Sequence, residues 1–277
     1  MTEEGGLVLV ATPIGNLDDL SPRAVATLAA ADLVVCEDTR RTGRLLSAAG
    51  VSARRLLAVH DHNEASRIGT VLEHLRAGET VAVVTDAGMP GISDPGERLV
   101  RAAAGAGFHV SVVPGPSAAI AGLVTSGLPT GRFVFEGFLP RKGSGREERL
   151  EALAVEPRTV VLYEAPHRLA RTLTDLVDAL GPDRRVVLLR ELTKLHEEVW
   201  RGTSAAAAEH AATIEPRGEY VVVVEGSGPA EPVADDELAA AVAERVSAGV
   251  TTRDAVAEVA SAFGVSRRLV YAIAIRR

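Results

Sequence analysis

Five short apolar runs rich in β-branched residues recur along the first part of the chain: Leu7–Ala11, Asp32–Cys36, Leu56–Val59, Thr80–Val84 and Val110–Val113. Stretches of helical periodicity separate them. Parallel strands cannot be joined by a tight turn and need a crossover, which a helix supplies. Strict alternation of this kind constrains the chain to an α/β fold built on a parallel sheet.

Each run hands over to a segment rich in Gly, Pro or charge: Thr12-Pro13-Ile14-Gly15-Asn16, Glu37-Asp38-Thr39-Arg40-Arg41-Thr42, His60-Asp61-His62-Asn63, Thr85–Gly96 and Pro114-Gly115-Pro116-Ser117-Ala118. In a parallel sheet these segments share one edge, and the crevice outside that edge is where ligands bind. Thr85–Gly96 is longer and stiffer than the roughly 2–6 residues such a connection needs. It carries Asp86 and Asp94 near its ends, and Asp94 is also a candidate N-cap for a helix over 97–106.

The pattern resumes after a bridging helix at 118–126. A second half opens with the segment 132–142, and strands are expected at 159–163, 186–189 and 220–224, with helices at 167–180 and 204–213. The segment 226–232 has linker composition. Beyond it the chain turns helical, at 237–247, 253–262 and 266–275. Ala260, Gly264 and Val270 have helix-turn-helix spacing, with Arg267, Arg268 and Tyr271 on the second helix and Arg276 and Arg277 following it. A plain three-helix packing module is the alternative. Three domains follow: 1–117, 118–228 and 233–277.

At 47% hydrophobic content the chain has ample core material, and its formal net charge of −7 argues against bulk electrostatic binding of nucleic acid. A local basic face is still compatible with that total, and it would be made of arginine, because Lys142 and Lys194 are the only lysines. Cys36 is the single cysteine, so no internal disulfide forms. With no apolar run near the ~20 residues of a membrane span and no signal peptide, a cytoplasmic location is expected. The glycine-rich cradles for dinucleotides and nucleoside triphosphates are absent, as is a zinc-protease helix. His60 and His62 lack a third ligand nearby in sequence, so no metal is expected.

Taken in order, these motifs, together with Glu136-Gly137-Phe138-Leu139-Pro140, Tyr163-Glu164-Ala165-Pro166-His167-Arg168, Arg190-Glu191-Leu192-Thr193-Lys194 and Gly218-Glu219-Tyr220, resemble the ribosomal RNA small subunit methyltransferase I family, within the tetrapyrrole methylase superfamily. The resemblance runs from about Leu7 to Gly226, and the C-terminal helices resemble that family's helix-turn-helix extension. It departs from the common pattern at Met89 and Pro166, where no charged group is lost.

The resemblance implies two α/β domains with S-adenosylmethionine in the cleft between them, usually as a homodimer. It also implies 2′-O-methylation of a cytidine ribose in the decoding region of 16S rRNA, with the rRNA or the small ribosomal subunit as partner. Carried over to this chain, Pro13, Gly15, Asp86, Ala87, Gly88, Ser93, Ser117 and Ala118 line the cofactor site from one side. Tyr163, Glu164, Gly218 and Glu219 line it from the other. A ribose hydroxyl needs a proton acceptor. The candidates are Glu37 or Asp38, oriented by Arg40, or Glu191. Arg41, Arg44, His60, His62, Arg141, Lys142, Arg146, Arg168 and Lys194 are candidates to contact RNA, with 141–146 as a flexible basic loop. Two other readings stay open: a tetrapyrrole C-methyltransferase, and a DNA-binding regulator that senses a ligand.

Overall fold

The computed structural model describes residues 5–228 and 234–275; Arg276, Arg277 and part of the expected linker lie outside them. The chain forms two compact units, Met1–Gly228 and Pro229–Arg277.

The larger unit contains two sheets. The first has five parallel strands, β1 (Leu7–Val10), β2 (Leu33–Cys36), β3 (Leu56–Ala58), β4 (Val81–Val83) and β5 (Val110–Val113), in the order β3-β2-β4-β1-β5. Side chains alternate across it, as strand geometry requires. Val10, Val34, Cys36, Ala82, Val84 and Val113 pack beneath α1 (Pro22–Ala30) and α2 (Thr39–Ala48), through Leu28 and Leu46. Leu7, Leu33, Val35, Val81 and Val83 pack on α3 (Glu64–Arg76) and α4 (Glu97–Gly105), through Val71, Leu75 and Leu99. Ser21 caps α1 by accepting from Ala24 N at 3.1 Å, with Pro22 at the first helical position. From β1 the chain crosses beyond β4, and from β4 it crosses back beyond β1, so β1 and β4 meet where the winding direction switches.

The helix α5 (Ala118–Ser126) leads to the second sheet. There β6 (Phe133–Phe138), β7 (Thr159–Glu164), β8 (Arg185–Arg190), β9 (Glu198–Thr203) and β10 (Tyr220–Val224) lie in the order β6-β7-β10-β8-β9. Only β6 and β7 run parallel; the other pairings are antiparallel. One face buries Val160, Leu162, Leu188 and Val222 against α6 (Ser144–Ala154), α7 (Pro166–Leu180) and α8 (Ser204–Thr213). The other buries Val161, Val187, Leu189, Val221 and Val223 against Ala119 and Leu123 of α5. Gly122 is where α5 comes closest: a Cβ there would stand 2.7 Å from Val221 Cγ1.

Two elements differ from expectation. Residues 198–203 form an edge strand, and the supposed flexible basic loop 141–146 is cut short by α6, which begins at Ser144. The small unit packs α9 (Asp235–Ser247), α10 (Thr252–Ala262) and α11 (Arg267–Ile275) around Leu238, Val259 and Val270. Gly264 makes the expected turn at φ +64°, and Thr251 caps α10. No helix among the described residues is long and apolar enough to cross a membrane.

Candidate active site

The loops after β1 and β4 are locked together by Thr12. Its N–H donates to Gly88 O at 2.9 Å, Gly88 N returns the bond at 3.1 Å, and its fully buried hydroxyl donates to Thr85 O at 3.1 Å. Gly88 holds φ +82°, and a Cβ there would also press to 3.3 Å from Ile14. Farther along the same loop Ser93 is held at φ +60°, a conformation that costs a non-glycine residue on the order of 1–3 kcal/mol and clusters at functional sites. Asp94 does not cap α4. The cap residue is Gly96, and the acceptor for its first turn is the buried carboxylate of Glu64 from α3.

The edge of the second sheet meets these loops. Asn16 N donates to Thr193 Oγ1 at 3.1 Å, and Ala119 N donates to Tyr163 Oη at 3.0 Å. Between the two edges lies a cavity of about 420 Å³. From the first sheet's side, Ile14, Glu37, Arg41, Asp86–Met89, Ile92–Asp94, Ser117 and Ala118 line it; Phe138, Tyr163–Pro166, Leu189, Leu192 and Gly218–Val221 line it from the second. The volume is in the range typical of small-molecule sites, about 300–1,000 Å³.

Ten of the twelve expected cofactor residues line this cavity. Pro13 and Gly15 do not; their loop presents Ile14 instead, because Gly15 is packed against Leu192 O, Thr193 and Lys194. Glu164 reaches the wall with both carboxylate oxygens engaged: Oε1 takes Ala165 N at 2.8 Å and Arg168 at 3.1 Å, and Oε2 takes Thr172 at 2.6 Å. Its work is to fix the start of α7.

Among the expected proton acceptors, Glu37 alone lines the cavity. Asp38 points away, capping α2 through Arg40 N and Arg41 N and pairing with the exposed Arg40 at 3.3 Å. Those hydrogen bonds, the Arg40 side chain's first among them, hold its carboxyl below the usual range. The arginine beside the cavity is Arg41, which donates to Asp86 Oδ2 at 3.0 Å. Glu191, at φ +52°, accepts from Lys194 Nζ at 2.8 Å and from Glu219 N at 2.9 Å. Burial opposes its charge, but Lys194 and the Glu219 amide hold its carboxyl below the ordinary value. Gly218 is needed against it, since a Cβ there would fall 2.4 Å from Glu191 Oε1.

Sequence reasoning missed Asp94 as an acceptor. It lines the cavity and makes no ion pair among the described residues. Burial, and then the Glu37 carboxylate, push it up to about 6. Glu37 is itself raised, by burial and by Asp86 and Asp61.

The expected RNA contacts divide. Arg44, Arg141 and Lys142 are exposed, and His60 and His62 sit edge-on, 6.0 Å apart, after β3. Lys194 is engaged by Glu191 and Glu219. Arg146 is 4% exposed, so it is a buried structural cation and not a loop residue free for RNA. It donates to Asp175 and Thr172 and to Pro140 O. Among the described residues no cluster of His, Cys, Asp and Glu could hold a metal ion.

The family pattern described as Tetrapyrrole (Corrin/Porphyrin) Methylases matches residues 6–208. The chain belongs to the tetrapyrrole methylase family. A ribosomal RNA small subunit methyltransferase I from Synechocystis sp. is 45% identical over 273 residues, spanning 98% of each chain. One from Mycobacterium tuberculosis is 48% identical over 269 residues, spanning 96% of this chain and 93% of that protein. This tetrapyrrole methylase therefore falls with the small subunit rRNA methyltransferases. Solved structures share its fold at lower identity. The methyltransferase CobJ superposes with a TM-score of 0.62 at 23% identity over 80% of this chain and 95% of its own. A uroporphyrin-III C-methyl transferase from Thermus thermophilus, complexed with S-adenyl homocysteine, gives 0.57 at 22% identity over 80% and 97%.

Proposed function

We propose that this enzyme uses S-adenosylmethionine to methylate rRNA of the small ribosomal subunit, at the 2′-hydroxyl of a cytidine ribose in the decoding region of 16S rRNA. The observation that carries the reading is the acid-lined cavity between the two sheet edges of an rRNA methyltransferase family member. S-adenosylmethionine, when bound, supplies an electrophilic methyl group on a cationic sulfonium.

The residues present fit that donor. Ile14, Met89, Ile92, Leu189, Leu192 and Val221 offer an apolar slot for a purine. Glu37, Asp86, Asp94 and Glu219 bring negative charge to a cationic ligand, and Arg41 brings one positive charge for its carboxylate. Asp86 Oδ1 is buried with no partner among the described residues, an acceptor placed for an ammonium or hydroxyl donor.

Within this reading, Glu37 and Asp94 replace Asp38 and Glu191 as the groups that accept the ribose proton. A carboxyl raised toward neutrality is the better general base. The Ser93 and Gly137 contact, where a Cβ on Gly137 would meet Ser93 Oγ at 2.9 Å, keeps the Asp94 segment seated against the second sheet. A homodimer belongs to the same reading. Ile120 and Val124, one turn apart on α5, and Val112 on the edge strand β5 all leave apolar surface exposed.

The test is incubation with labelled S-adenosylmethionine and three acceptors: small ribosomal subunits, naked rRNA and a porphyrinogen. Label on one cytidine ribose is the expected result. Label on the macrocycle alone would overturn the proposal in favour of a C-methyltransferase.

A further inference from the structure

A second cleft, of about 250 Å³, is lined by residues from the first two turns of α7. Glu164, Ala165 and Pro166 line the cavity, and the next two residues, His167 and Arg168, line the cleft. Arg141, Arg146, Arg171 and Thr172 complete it. Four arginines thus line one small space.

Two of them are fixed from behind. Arg146 is held by Asp175 at 2.7 Å, and Arg168 by Glu164 at 3.1 Å with a further bond to Leu139 O. Arg171 shares Asp175 only at 3.9 Å, and Arg141 has no ion pair among the described residues. Two carboxylates against four arginines leave a surplus of two positive charges. His167 is exposed. Arginine gives bidentate recognition of phosphate.

We propose that this cleft is a phosphodiester subsite. Arg141, His167 and Arg171 grip one backbone phosphate of the RNA, while buried Arg146 and half-buried Arg168 act as positioning residues that hold the cleft open. This rests on the rRNA reading above and deepens it: α7 begins with a wall of the methyl-transfer cavity and continues as the wall of the phosphate cleft. The acceptor strand would then be anchored one helical turn from the ribose that is methylated.

Two measurements on the full-length protein test it. In the first, inorganic phosphate is added at fixed pH and the His167 imidazole resonances are followed by NMR, with chloride of equal ionic strength as control. Phosphate-specific shifts that vanish in Arg171→Ala are expected; no phosphate-specific shift overturns the subsite.

In the second, Arg141→Ala, Arg171→Ala and the double variant are assayed on small ribosomal subunits. The expected outcome is an acceptor KM raised about tenfold, with S-adenosylmethionine affinity unchanged. The slope of log affinity against log salt should fall by about 0.7–0.9, one phosphate's worth, in each single variant and by no more in the double variant. Slopes that fall additively would mean two separate surface contacts and overturn the shared grip. If wild type methylates the subunit but the variants keep its KM, the cleft does not serve the RNA. If wild type fails on every RNA acceptor, the rRNA reading falls, and the His167 response alone decides the phosphate site.

Discussion

Glu64 Oε1 accepts a hydrogen bond from Gly96 N at 3.0 Å, across 32 residues of chain. The same oxygen takes Arg98 N at 3.1 Å and Leu99 N at 3.3 Å, and the residue is 4% exposed. One carboxylate, projecting from the start of α3, thereby supplies the acceptor that α4 lacks and ties down the end of the cavity loop. Glu64→Ala should lower unfolding free energy by about 1–3 kcal/mol by leaving buried N–H groups unsatisfied. It should also weaken cofactor binding. Glu64→Gln keeps an acceptor and loses only the charge at the helix N-terminus, about 0.3–1 kcal/mol. Denaturant melts with calorimetry of S-adenosylmethionine binding separate the two; equal losses would argue against the cap.

Asp94 makes both stability and rate depend on pH. Its folded pKa, about 6, lies above the ordinary 3.8, so the folded protein holds this proton more tightly than the unfolded chain. The associated stability is complete below the unfolded value and is lost as pH rises through about 6. Asp94→Asn should therefore raise the melting temperature at about pH 8 and change it little at about pH 4. Methyl transfer by wild type should climb through about pH 6 as the base ionises, and the Asn variant should lose that limb. A variant that melts lower at high pH would contradict the assignment.

The neighbours Glu37 and Asp38 face different ways, and kinetics should distinguish them. Glu37→Gln is expected to lower turnover about 100-fold, the low end for general-base removal, with S-adenosylmethionine still bound. Asp38→Ala removes the cap of α2 and should lower the melting temperature while leaving turnover near wild type. Arg40→Ala should do little to either. A fall in turnover with Asp38→Ala but not with Glu37→Gln would return the role to Asp38.

Arg141 and Arg146 look equivalent in sequence and are opposite in structure. Arg146→Met removes the buried partner of a half-exposed Asp175 and leaves Thr172 and Pro140 O without their donor, so it should destabilise by about 1–3 kcal/mol. Arg141→Met, at an exposed position, should stay within about 0.5 kcal/mol. Thermal melts of the two variants side by side decide whether Arg146 belongs to the core.

The first sheet was legible because its strands and most of its helices carry local signals; the acceptor at the start of α4, supplied by the distant Glu64, carries none. Ser21-Pro22 announces a helix start, and runs such as Leu33–Cys36 announce buried strands. The second sheet was less so. Its edge strand, Glu198–Thr203, is half-exposed and interrupted by Arg201 and Gly202, so neither a continuous apolar run nor clean alternation marks it. The α6 start was masked because Arg141 to Arg146 reads as a uniform basic, glycine-bearing stretch.

By itself, the sequence determined the alternation of elements, the edge on which the loops gather and the family to which those loops belong. These follow from periodicity and from residue types that bend or cap the backbone. Only the tertiary structure decided which of two adjacent carboxylates faces the cavity, that Arg146 is buried, and that Asp94 stands beside Glu37 although more than fifty positions separate them. Side-chain direction and electrostatic neighbourhood depend on contacts made across the chain. A carboxylate's chemistry is set by what surrounds it after folding, and its sequence neighbours do not reveal that.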